Sequence, residues 1–361
     1  MGIDLMEQTM FSAPRSQGKR LPTLEEYACN LLPSDFGVDS DNARINQFGA
    51  VTDANPESVD VVQISPRHFR FMPGPEFCPR LYRGQNGYYE PCVPSLYRNQ
   101  EPIDIIYRTA KWIELGFALS EHPASVWLRG LEIEGLKFGF NFQSFAQHYG
   151  FPSALLDFSR SREVAMFFAT CGYDEKSDEY YPLNSGKAVL YTVDLSGMIL
   201  ERDPKSIPLP LGLEPLPRPE AQKAFGIQLL PGQDLNSKSW SRSVVFDITK
   251  QQSNLYYEMF DGGRGLFPVN PFDRHIQFLR DNNTIPKPAI EYGMEIGLIP
   301  RHSLGVDAAA SELESVGYNV IEAMHTIDPS ALMVALDDWN ARSPAFLAKM
   351  KIRGCSDHFQ V

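Results

Sequence analysis

The sequence predicts an α+β fold with mixed central sheets flanked by helices. Runs of alternating or continuous apolar residues indicate strands, and the clearest covers residues 187–195. Apolar residues at helical spacing predict helices over 102–120 and 329–350. No internal repeat is visible. We therefore expect one α+β core over residues 66–305, with an N-terminal extension (1–65) that is partly helical or mobile and a C-terminal helical extension (306–361).

Two segments outside the clear patterns carry further expectations. Residues 21–27 resemble a helix start, with Thr23 as N-cap and Glu26 at the capping-box position. Residues 203–219 contain six prolines, and such a long loop is typically a functional lid or disordered.

The composition favours a globular protein with an acidic surface. The chain has 361 residues, of which 43% are hydrophobic, and its formal net charge is −12. This charge argues against broad binding of a phosphate backbone, although a local basic cleft remains possible. Five scattered cysteines without a CxxC pattern disfavour a disulfide framework and structural zinc.

Targeting signals and common catalytic motifs are missing from the sequence. It shows no signal-peptide run and no window of transmembrane length, so we expect a cytoplasmic protein without membrane contact. It contains no GxxxxGK[ST], GxSxG or HExxH motif, and its histidines lack metal-ligand spacing. Kinase, ordinary hydrolase and metal-dependent chemistry therefore have little support, and no metal is expected.

The stretch 143–169 combines two predicted helices with a polar cluster between them. Gly150 and Pro152 end the first helix, residues 154–156 suggest a short buried strand, and residues 164–169 predict a second, buried helix. A turn in which Asp157 or Ser159 caps the second helix explains the cluster without any function. The alternative is a functional site formed by His148, Asp157, Ser159, Arg160 and Ser161.

A second candidate region precedes this stretch. Residues 81–85 predict a strand that ends in a glycine turn, which places Arg83 at the mouth of the strand. Strand ends often carry binding sites, but an ordinary edge-strand arginine paired with a carboxylate is equally compatible. Tyr88 and Tyr89 follow, as a stacking wall for a ligand or as packing residues.

Together the two regions resemble the FRG domain family. Its Phe-Arg-Gly motif corresponds to Tyr82-Arg83-Gly84, and its central QHYGxPTRLLDWT pattern corresponds to residues 147–159, QHYGFPSALLDFS. Ser153-Ala154 replaces the usual Thr-Arg, and Phe158-Ser159 replaces Trp-Thr. The AxFFA helix corresponds to residues 165–169, and residues 218–225, RPEAQKAF, resemble a later RxxxQxGxF segment. The resemblance covers about residues 75–300.

The resemblance implies a remote relation to ADP-ribosyltransferases and to bacterial toxin and phage-defence proteins. It implies NAD as a substrate, a macromolecular acceptor of unknown class and a possible partner protein that controls activity. The residues that it assigns to catalysis are Arg83, Ser159, Glu220 and Gln222. Those that it assigns to NAD binding are Tyr82, Arg83, Gly84, Gln85, His148, Tyr149, Asp157, Phe158 and Arg160.

The segment around Gln222 leaves alternatives open. If it is a strand, Glu220 and Gln222 face the same side, so either one can meet the ribose. Gln222 carries no charge, which leaves two hypotheses open. The chain is an NAD-consuming enzyme, or it is a module that binds a nucleotide or partner without turnover. A structural protein whose polar cluster only caps helices is the third hypothesis.

Overall fold

The computed structural model describes most of the chain outside its two ends. The described residues are 43–45, 51–53, 59–73, 80–98, 101–174, 176–194, 198, 206–211, 216–299 and 305–351. The helix expected at 21–27 and parts of the proline-rich segment 203–219 lie outside these residues.

Ten helices occur in the described part of the chain, and they confirm the helical half of the α+β prediction. They are α1 (Pro102–Ser120), α2 (Pro123–Gly130), α3 (Phe142–His148), α4 (Arg162–Thr170), α5 (Arg218–Ala221), α6 (Lys250–Met259), α7 (Asp273–Asp281), α8 (Lys287–Glu295), α9 (Gly305–Ser315) and α10 (Pro329–Lys349).

Five sheets occur in the same ranges. Their strands are β1 (Ala43–Ile45), β2 (Val51–Asp53), β3 (Val59–Ser65), β4 (His68–Pro73), β5 (Arg80–Gln85), β6 (Glu132–Ile133), β7 (Leu136–Phe138), β8 (Leu155–Ser159), β9 (Cys171–Asp174), β10 (Glu179–Pro182), β11 (Lys187–Asp194), β12 (Ser206–Pro210), β13 (Ala224–Leu229), β14 (Ser241–Asp247), β15 (Thr284–Pro286), β16 (Asn319–Ile321) and β17 (Met350–Lys351).

The largest sheet has six antiparallel strands in the order β12-β13-β8-β5-β11-β14. Apolar side chains on one face, among them Leu156, Val189 and Phe225, form a buried core. Strands β5 and β8 are paired at one position, Tyr82 opposite Ser159, whereas β5 pairs with β11 along its whole length. The sheet is therefore split between β5 and β8.

Helix α4 lies directly on strand β5 because Gly84 has no side chain. A Cβ atom at this position would stand 1.7 Å from the carbonyl oxygen of Ala165. The helix itself is buried on several sides, as its continuous apolar sequence predicts, with Val164 and Phe167 in an aromatic cluster. The Arg-Gly pair in the sequence thus reflects a close approach of strand and helix.

A second, larger core is formed mainly by helices α1, α3, α7, α8 and α9. Ile106, Ala110 and Ile113 follow one another at helical spacing in α1 and pack against Phe145 and Ile290. This core supports α3, whose C-terminal residue is His148. Helix packing therefore places the backbone of His148 beside the sheet.

The remaining large sheet joins residues 59–73 and 132–138 to residues 350–351, near the C-terminal limit of the described residues. Its order is β17-β3-β4-β7-β6, with parallel pairing of β17 to β3 and of β4 to β7. Trp339 of α10 packs in the same core as Phe71 and Ala124. The predicted boundaries near residues 65 and 305 remain predictions, but strands and helices from all three predicted segments meet here.

The condition under which Glu220 and Gln222 would face the same side is not met, because residues 218–221 form the short helix α5. One local prediction is wrong. The N-cap of α4 is Ser161, whose hydroxyl accepts from the Val164 amide at 3.3 Å, rather than Asp157 or Ser159. Both polar residues instead belong to β8, which runs further than the predicted 154–156 strand.

Other features of the described ranges bear on the expected chemistry. Cys92 and Cys171 are buried free thiols. No group of three histidine, cysteine or carboxylate side chains is arranged for a metal ion among the residues that the structure describes. No helix in those ranges has the length and apolar character needed to cross a bilayer.

Candidate active site

Two chambers adjoin at the split between β5 and β8. The smaller has a volume of about 360 Å³ and is lined by residues of β5 and β8 together with Arg98. The larger, of about 850 Å³, lies towards α7 and the segment that follows α6. The two chambers share four lining residues, which are His148, Asp157, Phe168 and Gln222. A ligand group at this shared wall is accessible from both chambers.

Arg83 spans the split from the β5 side. Its Nη1 donates to the backbone carbonyl of Asp157 at 2.9 Å, which fixes the guanidinium in the smaller chamber. Its Nε is buried and has no hydrogen-bond partner among the described residues. Arg98 lines the same chamber, and partial burial, followed by the charge of Arg83, lowers its pKa. Two neighbouring guanidinium groups make this chamber suitable for an anion.

Asp157 lies on β8 at the shared wall. Desolvation raises its pKa above the ordinary value of 3.8, while the charges of His148 and Arg83 and a hydrogen bond from Gln147 oppose this shift. Its Oδ1 is 3.8 Å from His148 Nε2. The side chain remains partly exposed to the chambers. The carboxylate of Asp157 therefore lies near Arg83 and His148 and is accessible to a ligand.

The orientation of His148 is determined by Gln222. The Gln222 Nε2 donates to the carbonyl of Leu266 at 3.1 Å, and its Oε1 lies 2.8 Å from His148 Nδ1. Because a carbonyl cannot donate, the amide orientation is fixed, and Nδ1 must carry the proton that Oε1 accepts. In the neutral imidazole, the lone pair is then on Nε2, which is buried without a hydrogen-bond partner within the described ranges.

Ser159 positions Gln222 from the strand side. Its hydroxyl donates to the Gln222 carbonyl at 2.7 Å and accepts from the Ser161 amide at 3.0 Å. The hydroxyl is therefore engaged with backbone groups, although Ser159 also lines the smaller chamber. Its geometry suits a residue that supports the site more than one that attacks a substrate.

The other predicted site residues divide into three groups. Tyr82, Gly84, Gln85 and Phe158 line the smaller chamber with Arg83, and Tyr149 lines the larger one. Glu220 is exposed on α5 and lines neither chamber, and neither does Arg160. The helix of residues 218–221 directs Gln222 inward and leaves Glu220 outside, whereas a strand would have placed both on the same side.

Several lining residues were not among the sequence predictions. Arg98 and Phe168 complete the smaller chamber, and Tyr89, one of the two tyrosines considered as a stacking wall, also lines it. In the larger chamber, Arg218 lies over the Tyr149 ring, 4.4 Å from its centroid. The acidic, tyrosine-containing segment at 174–181 was a visible signal for this chamber, but nothing local connected it to the central motif.

Comparison with known proteins supports the FRG part of the resemblance. The family model of the FRG domain matches residues 79–178. No curated protein and no solved structure matched the chain. The matched segment includes Arg83, His148, Asp157 and Ser159 but ends before Gln222. The site therefore combines an FRG-like segment with a glutamine from a later part of the chain, and the relation to ADP-ribosyltransferases stays a prediction.

Proposed function

We propose that the chain is an ADP-ribosyltransferase-like enzyme that uses NAD as its donor. The observation that carries this proposal is the position of Arg83, Asp157, His148 and Gln222. These residues form one cluster between a chamber that contains two arginines and a larger chamber lined by carboxylates and aromatic rings. Such an arrangement suits transfer of a group from an anionic donor on one side to an acceptor on the other.

The smaller chamber supports binding of the anionic part of the donor. Arg83 and Arg98 offer forked donors, the geometry that proteins commonly use for phosphate groups. Tyr89 and Phe168 supply aromatic surface for a planar ring beside them. Gly84 keeps the backbone of β5 close to α4, so closely packed main chain forms the floor of this chamber.

The shared wall supports the chemistry. When the bond between ribose and nicotinamide breaks, positive charge develops on the ribose, and the carboxylate of Asp157 is placed to stabilise it, as carboxylates do in glycosidases. The unprotonated Nε2 of His148, 3.8 Å from Asp157, can accept the proton released by the acceptor. Gln222 acts as a positioning residue because its side chain holds the imidazole of His148. Ser159 acts in the same way through its hydrogen bonds to the backbone of Gln222 and Ser161.

Two strand arginines of the same sheet provide the test. We expect Arg83→Gln to weaken NAD binding by about 10- to 100-fold, since it removes charge-assisted hydrogen bonds. The matched control, Arg242→Gln, changes an exposed arginine of β14 outside both chambers and leaves binding unchanged. Calorimetric titration measures the affinity, and chromatography of released nicotinamide measures turnover.

Two results would contradict the proposal. If the folded wild-type chain neither binds NAD nor releases nicotinamide, the donor assignment is wrong. Equal loss of binding in the Arg83 and Arg242 variants would show that general surface charge, rather than the smaller chamber, attracts the nucleotide.

A binding module without turnover is the second candidate, favoured by Gln222. Both ends of its uncharged amide are engaged, with His148 and with the Leu266 carbonyl, so it contributes no charge to a reaction. In that case NAD raises the melting temperature of the chain without any release of nicotinamide. Toxin or phage-defence activity and control by a partner protein stay predictions from the resemblance.

A further inference from the structure

The larger chamber carries an excess of negative charge. Its lining includes three arginines, and each has a carboxylate partner. The pairs are Arg218 with Asp273 at 3.5 Å, Arg264 with Asp261 at 2.8 Å and Arg280 with Asp281 at 2.7 Å. The cations of the chamber are therefore already neutralised by the protein.

Three carboxylates at the rim of this chamber are not neutralised in the same way. Asp178, Glu179 and Glu258 are exposed, and no lysine or arginine of the described ranges lies within salt-bridge distance of them. Asp178 accepts a hydrogen bond from the Tyr173 hydroxyl, which orients it on the rim. The rim consequently attracts a cation and repels a polyanion.

Aromatic rings line the same chamber. Tyr180 and Phe267 are stacked, with centroids 5.1 Å apart and an interplanar angle of 19°. Arg218 already places its guanidinium over the Tyr149 ring and within 5.7 Å of the Phe267 centroid. The chamber therefore already holds one guanidinium against its aromatic rings, which is the contact that a planar cation makes.

A buried polar atom points to a ligand with an N–H group. His148 lines the larger chamber, its side chain is 2% exposed, and its Nε2 has no hydrogen-bond partner among the described residues. Since Nδ1 donates to Gln222, Nε2 is available as an acceptor. This evidence is independent of the rim carboxylates. His148 lies at the wall shared with the smaller chamber.

We propose that the larger chamber is the acceptor site and that the acceptor group is a guanidinium. A guanidinium is planar, stacks on aromatic rings and presents forked donors to carboxylates, whereas an ammonium is a compact, strongly hydrated charge. The free guanidine of a small molecule and an arginine side chain share this chemistry. The inference rests on the proposed transferase function for its reaction, but the binding site stands without it.

The transfer step balances with these groups. A guanidinium nitrogen forms a bond to ribose C1′ and gives one proton to His148 Nε2. The bond between C1′ and the nicotinamide nitrogen breaks, and its electron pair stays on that nitrogen, so neutral nicotinamide leaves. The modified guanidinium keeps its single positive charge, and Asp157 stabilises the protonated His148.

Binding of butylguanidinium, butylurea and butylammonium to the full chain tests the site without requiring turnover. We expect saturable binding of butylguanidinium, with butylurea and butylammonium weaker by about tenfold. The double variant Glu179→Gln, Glu258→Gln weakens butylguanidinium binding by about three- to tenfold, and the loss shrinks at high salt. The control double variant Glu295→Gln, Glu314→Gln changes two exposed carboxylates outside both chambers and leaves the affinity unchanged.

The outcomes separate this inference from the proposed function. Equal affinity for the three probes, or no effect of the rim variant, overturns the guanidinium site even if NAD is consumed. Selective guanidinium binding without nicotinamide release supports the guanidinium site and contradicts the transferase function. With labelled NAD, label on butylguanidinium or on an arginine-containing peptide supports the inference and distinguishes the two sources, whereas label on single-stranded DNA alone overturns it.

Discussion

At the scale of single residues, an uncharged amide orients the candidate site. Gln222 holds the Nδ1 proton of His148 in place and leaves Nε2 directed towards Asp157. The family resemblance named all three as candidate site residues, but the sequence could not predict their contacts. Local pattern also favoured Asp157 or Ser159 as a helix cap, because short polar side chains before an apolar run are typical of caps. Ser161 satisfies that pattern equally well and is the residue that caps α4.

Asp157 leads to a prediction about pH. Burial raises its pKa in the folded state, so the folded chain holds more protons than the unfolded chain just above pH 3.8. The free energy of unfolding of the wild type therefore falls as pH rises through the range between 3.8 and the raised pKa. Asp157→Asn removes this titration, so its stability relative to the wild type increases with pH over that range. Urea unfolding at a series of pH values measures the difference.

Asp261 provides a control of opposite sign. Its hydrogen bonds and charge contact with Arg264 lower its pKa, so its contribution to stability is present above the ordinary pKa and is lost as pH falls. Asp261→Asn is therefore expected to lose stability relative to the wild type as pH rises, although the effect is small at an exposed site. The same slope for both variants would contradict the role of burial at Asp157.

At the scale of elements, long periodic segments were predictable and short ones were not. Helix α1 and strand β11 have enough residues to show a pattern, and both occur where the sequence predicts them. Helix α5 has four residues and follows a proline, so its sequence carries no periodicity that separates it from a strand. This single uncertainty decided whether Glu220 belongs to the site. The rim of the larger chamber could not be predicted from the sequence either, because its residues come from segments that are distant in the sequence.

The contact between β5 and α4 gives a second prediction. Gly84→Ala places a Cβ atom against the Ala165 carbonyl, and since this is backbone, the helix must move. We expect a loss of about 3 kcal/mol in the free energy of unfolding. Gly130→Ala, at the end of α2 with no atom within 4 Å of the new Cβ, is expected to be neutral or to stabilise by less than about 1 kcal/mol. Denaturant titration of both variants checks the contrast, and equal effects would refute the close-packing explanation.

At the scale of the whole molecule, residues 59–65 and 329–351 pack into the structure that carries the candidate site. Helix α10 contacts α2 through Trp339 and Trp127, whose rings lie 5.5 Å apart, and β17 pairs with β3. Composition predicted a sizeable core but could not show that the predicted C-terminal extension helps to form it. The amphipathic pattern of residues 329–350 predicted a helix without indicating its partner.

Trp339→Ala tests this connection. The side chain is buried among Trp127 and Phe346, so its removal leaves a cavity and is expected to cost about 3–5 kcal/mol. Met333→Ala, on an exposed part of the same helix, is expected to change stability by less than about 0.5 kcal/mol. Circular dichroism during denaturation follows the whole chain. A second transition that keeps the wild-type midpoint would show that the FRG-like segment is stable without α10.

The split in the six-stranded sheet also bears on how freely the site can vary in sequence. Beyond Tyr82 and Ser159, the facing edges of β5 and β8 present peptide groups to the smaller chamber, and Arg83 engages one of them, the Asp157 carbonyl. Peptide groups are the same for every amino acid. We therefore expect ligand contacts made by these peptide groups to survive a substitution such as Phe158 for the usual Trp, provided that the strands keep their separation. Substitutions are then expected to be least tolerated at Gly84, which maintains the backbone path, and at Asp157 and Ser159, whose own groups contact the site.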